Sequence, residues 1–248
     1  MKDKTAPVYL GCAGWSLPRE QRPHFPSEGT HLQRYAQRFG AAEINSSFYR
    51  PHRRETYEKW AASVPEGFRF SVKLPKTITH QNRLRDCEGL LDEFLGQCAG
   101  LGDALGCLLI QLPPSFAFDA ELVEDFFASL RARYQGTVAL EPRHASWTDA
   151  EALLQRERVA RVAADPSPLA DGAQPSGWLG VQYFRLHGSP RIYYSAYPTD
   201  WLEQLAQQLQ SAREKGIASW CIFDNTASGA AVADALQLAQ LLDAVSAE

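Results

Sequence analysis

Residues 181–187, VQYFRLH, have the pattern from which the fold is predicted. Apolar and polar side chains alternate along it, and this period is typical of a β-strand. Phe184 and Leu186 would then face one side of the strand, and Arg185 and His187 the other. In a (β/α)8 barrel the outer face of each strand packs under helices, and polar residues at the carboxyl end reach the active-site face. This strand therefore predicts such a barrel.

Seven further segments have the same character. With residues 181–186 they give eight predicted strands, over 8–12, 41–45, 68–73, 107–112, 137–141, 159–164 and 219–224. Amphipathic helical stretches separate most of them, as expected for parallel βα units. We therefore predict an α/β fold with a single (β/α)8 TIM-type barrel domain over residues 1–248. Residues 166–178 are rich in Pro, Gly, Asp and Ser and predict an irregular loop that replaces or shortens the helix after strand 6.

Composition narrows the class of protein. The chain is 45% hydrophobic and 22% charged, with a formal net charge of −4, which disfavours a protein held on nucleic acid mainly by positive charge. Its five cysteines form no CxxC pair and have no zinc-ligand spacing, so we expect buried free thiols. We see no signal peptide and no apolar stretch long enough for a bilayer, and we expect a cytoplasmic protein without a membrane partner.

Polar side chains end seven of the eight predicted strands on the side that should face inward. They are Glu43, Asn45, Ser71, Lys73, Gln111, Glu141, Arg143, Asp165, Arg185, His187 and Asp224. Burying unpaired charge is costly, and active sites of this fold lie at this end of the barrel. We therefore interpret these residues as a functional site. The alternative interpretation is a structural salt-bridge network, for example between Glu141 and Arg185.

The mixture of cations and carboxylates predicts a small anionic ligand, because guanidinium groups suit phosphate and carboxylate. Lys73, Arg143 and Arg185 would hold the anion. Glu43 or Glu141 would act as general acid or base, and His187 would shuttle a proton. Further ligand contacts are expected from Trp15, Asn45, Tyr49, Gln111, Asp165, Asp224, Asn225, Ser228 and Gly229. On this interpretation Glu141→Gln and Arg185→Ala leave the fold intact but abolish binding.

Three features of the same face have alternative explanations. The turn at residues 224–229 precedes a helix, so its free N–H groups would bind an anion, or Thr226 or Ser228 would simply cap the helix. The aromatic residues within 191–197 would form a lid or pack on the rim. Carboxylates with His187 would suit a divalent metal, but the cations in the same cavity oppose it, so we predict no metal and no cofactor.

Several motifs occur in an order that resembles the YecE-like family, known as domain of unknown function 72. They include residues 41–50 (AAEINSSFYR), 111–116 (QLPPSF), 141–144 (EPRH) and 183–188 (YFRLHG). The resemblance extends from about Val8 to the last helix, and it implies a TIM-type barrel and a bacterial cytoplasmic protein. The fold is similar to that of xylose isomerase and endonuclease IV. This chain departs from the family pattern at Leu17-Pro18 and at residues 223–226 (FDNT).

Three hypotheses for function remain open at this point. The first is an enzyme, a hydrolase, lyase or isomerase, that performs acid–base chemistry on a small anion. The second is a metal-dependent phosphodiesterase or nucleic-acid-processing protein that resembles endonuclease IV, for which stoichiometric bound metal is the discriminating observation. The third is a non-catalytic ligand-binding protein, which would bind a metabolite without turnover.

Overall fold

The structure is a computed structural model that describes residues 5–245. The strands are β1 (Val8–Ala13), β2 (Ala41–Ile44), β3 (Arg69–Lys73), β4 (Leu105–Gln111), β5 (Val138–Glu141), β6 (Val159–Arg161), β7 (Ala163–Asp165), β8 (Ser176–Gly177), β9 (Val181–Leu186) and β10 (Ala218–Phe223). The α-helices are α1 (His31–Tyr35), α2 (Arg54–Ala61), α3 (Glu88–Cys98), α4 (Ala120–Arg131), α5 (Glu151–Arg156), α6 (Thr199–Glu214) and α7 (Ala230–Val245). Each predicted strand is present with its ends shifted by at most two residues, and the sixth is divided into β6 and β7.

The strands form one sheet in the order β7-β9-β10-β1-β2-β3-β4-β5-β6-β8. Only Val162 separates β6 from β7, so the two sides of the sheet are joined through consecutive residues. Every pairing is parallel except that of β8, which is antiparallel to β6. The fold is thus the predicted TIM-type barrel, built from ten strands because the sixth is divided and β8 is added.

No α-helix lies between β7 and β9, a segment that the structure describes throughout. Turns and the short strand β8 occupy this place, as the composition of residues 166–178 predicts. Elsewhere helices cover the sheet in the usual way. In α4, for example, Asp119 accepts a hydrogen bond from the Leu122 N–H and so caps the helix. The buried stripe of this helix contains Val123, Phe126, Phe127 and Leu130.

Side chains of the strands alternate between two apolar layers. The outer layer, under the helices, contains the predicted outward residues Ile44, Val72, Leu140, Phe184, Leu186 and Phe223. The barrel interior contains a separate apolar cluster that includes Leu109, Val162, Tyr183, Trp220 and Ile222. All five cysteines are buried free thiols, as predicted. Within residues 5–245 no helix has both the length and the apolar character needed to cross a membrane.

Candidate functional site

Arg185, near the end of β9, is the centre of a buried charge cluster inside the barrel. Its Nε lies 3.0 Å from Oε2 of Glu43, and its Nη2 lies 2.8 Å from Oε1 of the same residue. Its Nη1 donates to Oε2 of Glu141 at 3.1 Å, and its Nη2 is 3.0 Å from Oδ2 of Asp224. Each guanidinium nitrogen therefore contacts a carboxylate.

These contacts keep Arg185 charged in a site that excludes water. Burial alone would lower the pKa of its guanidinium, but Asp224, Glu43 and Glu141 together raise that pKa well above its ordinary value. The side chain is 1% exposed. In the structure every nitrogen of Arg185 has a carboxylate partner. Its role as a ligand-binding cation stays a prediction.

His187 lies between two of the same carboxylates. Its Nδ1 is 3.0 Å from Oδ2 of Asp224, and its Nε2 is 3.1 Å from Oε1 of Glu141. Burial lowers the pKa of the imidazole, but the charge of Glu141 and the hydrogen bonds that the ring donates to both carboxylates outweigh this, so the pKa is raised above its ordinary value. The protonated ring donates to both oxygens.

Arg143 approaches the same oxygen of Glu141 and also lies beside the histidine. Its Nη2 forms an ion pair with Oε1 of Glu141 and is 2.9 Å from Nε2 of His187. When His187 loses its Nε2 proton, that nitrogen can accept a hydrogen bond from Arg143. The geometry thus provides a partner for Nε2 in either protonation state.

Glu141 and Asp224 are held in their ionised forms. Burial raises the pKa of each carboxyl, but neighbouring cations outweigh burial at both positions. Arg185, His187 and Arg143 hold the pKa of Glu141 well below its ordinary value. For Asp224 the lowering comes chiefly from Arg185 and His187. Both carboxylates are therefore harder to protonate than ordinary carboxylates, and they stabilise the imidazolium between them.

Lys73, the last residue of β3, faces the same interior but has a different environment. It is 5% exposed, and its Nζ lies 4.2 Å from the centroid of the Phe48 ring. Within residues 5–245 the ammonium group has no hydrogen-bond partner. Burial chiefly, and the charge of Arg185 next, lower the pKa of Lys73 to about 8, although Glu43, Glu141 and Asp224 oppose the change.

Further polar atoms around the cluster lack partners among the described residues. Oδ1 of Asn45 and Nε of Arg143 are buried without a hydrogen bond. Gln111 accepts only a long hydrogen bond from the cluster, with its Oε1 3.4 Å from Nη1 of Arg185. Buried polar atoms without partners are costly and usually have a functional explanation.

Three predicted ligand contacts do not join the cluster. Asp165 lines a cavity of about 150 Å³ between β7, β9 and α6. Even-numbered side chains of residues 159–165 face inward, and Asp165 has the opposite parity. Trp15 packs edge-on against Trp60 and Phe70 in the outer layer. Tyr49 is 67% exposed and borders a separate groove of about 150 Å³.

The turn after β10 holds a loop in place. Nδ2 of Asn225 donates to the Ser195 carbonyl oxygen at 2.9 Å, and Oγ of Ser228 donates to the carbonyl oxygen of Tyr194 at 2.7 Å. The Gly229 N–H donates a hydrogen bond to the carbonyl oxygen of Thr226. The predicted contacts of Asn225, Ser228 and Gly229 with an anion remain predictions, and the bonds seen here anchor the chain between β9 and α6.

That loop covers part of the cluster, as the prediction of a lid over residues 191–197 requires. The ring of Tyr193 meets the ring of His187 edge-on, with centroids 5.8 Å apart. The Tyr197 hydroxyl donates to the carbonyl oxygen of Asp165 and accepts from the N–H of Gly188. These bonds tie the Tyr197 end of the segment to the last residue of β7 and to the chain just after β9.

Two neighbours were absent from the predicted site. The Tyr183 hydroxyl lies 3.1 Å from Oε2 of Glu43 and 2.9 Å from Oγ of Ser71; because a carboxylate only accepts, Tyr183 donates to Glu43 and accepts from Ser71. Tyr183 has the same strand parity as Arg185, and this signal could have identified it. The contact of Phe48 with Lys73 depends on loop geometry that no sequence pattern indicates.

The donor atoms of the cluster do not form a metal site. Within residues 5–245 there is no group of three or more His, Cys, Asp and Glu side chains arranged to hold a metal ion. The carboxylates of Glu43, Glu141 and Asp224 instead face Arg185. The prediction that the protein works without a metal or cofactor stays a prediction.

Comparisons with known proteins find relatives of a single family along the chain. The profile of the family described as "Protein of unknown function DUF72" matches residues 9–248. The UPF0759 protein YecE of Escherichia coli K12 is 30% identical over a match that spans 65% of this chain and 60%, less than two thirds, of that protein. The UPF0759 protein YunF of Bacillus subtilis 168 is 24% identical, with 95% of each chain covered.

Solved structures show the same fold. The DUF72 family protein of Enterococcus faecalis has a TM-score of 0.79 at 21% identity, over 97% of this chain and 99% of that chain. The DUF72 family protein of Thermotoga maritima has a TM-score of 0.76 at 23% identity, over 95% of this chain and 99% of that chain. Since the family profile covers nearly all of the sequence, this chain belongs to the DUF72 family.

Proposed function

We propose that this protein is an enzyme that binds a small anion, phosphorylated or carboxylated, at the carboxyl-terminal mouth of the barrel. Protons would move through His187 and Glu141. The observation that carries the proposal is that Nε of Arg143 is buried without a hydrogen-bond partner. Nζ of Lys73, in the same interior, lies against the Phe48 ring and forms no ion pair within residues 5–245. Donors of this kind are costly in a protein interior unless a ligand completes them.

The balance of charge supports an anionic ligand. With His187 protonated, four cations (Lys73, Arg143, Arg185 and His187) face the three carboxylates of Glu43, Glu141 and Asp224. One positive charge is then in excess, and an anion would neutralise it. Arg143 would supply the first contact, because its side chain is 13% exposed and a guanidinium suits phosphate and carboxylate oxygens.

The same contacts weigh against a purely structural network. Arg185 fits that alternative well, since it is paired on every nitrogen. Lys73 and the Nε of Arg143 do not fit it, because a network that served stability alone would gain by pairing them.

His187 supports acid–base chemistry. Its Nε2 faces a carboxylate oxygen and a guanidinium nitrogen, so protonated and neutral rings are both accommodated. The charge of Glu141 and the hydrogen bonds to Glu141 and Asp224 raise the pKa of the imidazole, and a protonated ring can donate its proton to a bound substrate.

Calorimetric titration with inorganic phosphate, pyruvate and glucose 6-phosphate tests the proposal, with glucose as the neutral control. We expect at least one anion to bind, and Arg143→Met to weaken its binding by tenfold or more, about 1.4 kcal/mol. Arg54→Met, on the exposed face of α2, is the matched control and should bind like the wild type. Equal binding by the Arg143→Met variant, or binding of glucose alone, would contradict the proposal. Product formation followed by NMR then separates an enzyme from a binding protein.

A further inference from the structure

Lys73 differs from the other lysines that the structure describes. Lys59, Lys76 and Lys215 are exposed, whereas Lys73 is buried inside the barrel. A surface lysine is a hydrated cation at neutral pH. A lysine that is removed from water and has no carboxylate on its Nζ is, by contrast, suited to act as a free amine.

The surroundings of Lys73 hold the amine in a fixed position. The Ser47 hydroxyl donates to the Lys73 carbonyl oxygen at 2.6 Å, which fixes the neighbouring Phe48 against the lysine. The Phe48 ring covers one side of Nζ, and the His80 ring lies edge-on to the same phenyl ring at 4.9 Å. The titratable groups that influence Lys73 are Arg185, Glu43, Glu141, Asp224 and His80.

We propose that Lys73 is a nucleophile that forms a Schiff base with a carbonyl carbon of the bound anion. The inference rests on the proposed function and narrows its substrate class to small anions that carry a ketone or an aldehyde. Arg143 would hold the phosphate or carboxylate group, and the carbonyl would lie toward Nζ.

The chemistry balances without an oxidant or a reductant. The lone pair of the neutral amine adds to the carbonyl carbon, and the C–N bond forms as the C=O π bond opens. One proton moves from nitrogen to oxygen, and an acid of the site, which we assign to His187, supplies a second proton. The oxygen leaves as water, and a positively charged imine remains on Lys73.

The burial of Lys73 increases the population of its neutral amine form. Its pKa is lowered from 10.5 to about 8, chiefly by burial. At pH 7.5 the fraction of free amine is therefore roughly two-hundredfold larger than for a lysine with an ordinary pKa. Exposed lysines of the same protein thus provide an internal reference for reactivity.

The test is reductive trapping with sodium borohydride in the presence of pyruvate, a 2-oxo acid, or dihydroxyacetone phosphate, a phosphorylated ketone. Neutral dihydroxyacetone is the control for the anionic group. Peptide mass spectrometry then locates the secondary amine. We expect at least one of the two anions to modify Lys73 at least tenfold faster than Lys76, and neutral dihydroxyacetone to modify Lys73 more slowly than that anion. The more reactive anion identifies the substrate class.

Variants separate this inference from the proposed function. Lys73→Arg keeps a positive charge but cannot form an imine, so it should still bind the anion and lose the adduct. Lys73→Met should also lose it, and Lys76→Met, the exposed control, should keep it. If the anions bind calorimetrically but no adduct forms on Lys73, or if Lys76 is modified equally, the inference is wrong and the proposed function stands. If no anion binds and none is trapped, both are wrong.

Discussion

Arg185 and Glu43 form a two-point ion pair in the barrel interior, with Nε to Oε2 at 3.0 Å and Nη2 to Oε1 at 2.8 Å. Both side chains are almost completely removed from solvent, at 1% and 0% exposure. The pair links β9 to β2, which are separated in the sheet by β10 and β1. Removing one partner of such a pair leaves the other charge buried and unpaired. The resulting loss of folding free energy is far larger than the stability that the intact pair contributes.

Glu43→Gln is therefore expected to lower the free energy of unfolding by about 3–5 kcal/mol. The control is Glu58→Gln, which removes an exposed pair with Arg54 on α2 and should cost about 0.5 kcal/mol or less. Urea denaturation followed by circular dichroism measures both. Similar small losses in the two variants would show that the interior pair is not holding the strands together.

Arg185→Met should be more damaging than Glu43→Gln, because it leaves Glu43, Glu141 and Asp224 without their common cation. We expect loss of cooperative unfolding or a markedly lower melting temperature. This replaces the expectation, drawn from sequence, that Arg185→Ala leaves the fold intact and removes only binding. A variant that melts like the wild type would restore the earlier interpretation.

Lys73→Met is expected to stabilise the protein at neutral pH. The pKa of Lys73 is lowered from 10.5 to about 8 in the folded state, so protonation favours the unfolded chain. This cost accumulates as the pH falls from 10.5 to about 8 and is complete below that range. Removing it should raise the free energy of unfolding by about 3 kcal/mol at pH 7, with a smaller gain at pH 10.

Denaturation of Lys73→Met at pH 7 and pH 10 provides the measurement. Lys76→Met, whose lysine is exposed three residues away, should show no such gain at either pH. A loss of stability in Lys73→Met at pH 7 would mean that the ammonium group stabilises the fold.

Asp234→Asn tests a second buried group, on α7. The Asp234 carboxylate is 3% exposed and accepts hydrogen bonds from Nδ2 of Asn225 at 2.7 Å and from the N–H of Tyr197 at 3.3 Å. Burial raises its pKa from 3.8 to about 6, although these hydrogen bonds partly oppose the change. The stability that this group contributes is complete below pH 3.8 and is lost as the pH rises through about 6.

The amide of Asp234→Asn cannot ionise, so this variant should gain stability relative to the wild type between pH 4 and pH 7, on the order of 2 kcal/mol. Thermal melts across that range measure the difference. Asp243→Asn, exposed on the same helix, serves as the control and should follow the wild type. A constant offset at all pH values would indicate that only a hydrogen bond changed.

Strand positions and the direction of most side chains were predictable from sequence, because alternation is a local property of an extended backbone. Glu43, Glu141 and Arg185 face one interior as predicted. Asp165 was assigned the wrong face, since the even-numbered residues of 159–165 are the ones that point inward.

Pairing within the site was not predictable. Alternation shows that Lys73 and Arg185 share a cavity, but it does not show which of them the carboxylates surround. That outcome depends on register between strands distant in sequence: β9 places Arg185 level with Ile222 of β10, and β2 places Glu43 level with Ser71 of β3. The packing of Trp15 on Trp60 and the exposure of Tyr49 depend on loops, for which sequence carries no comparable signal.

β9 carries Tyr183, Arg185 and His187 on its inward face, within a strand of six residues and the position after it. Inserting or deleting one residue there would turn all three toward the helices and bring apolar groups into contact with the carboxylates. Over evolutionary time, this strand can accept substitutions on its outer side but no change of length. Natural variation in chain length should therefore begin only after Gly188, in the segment that shields the charges from water.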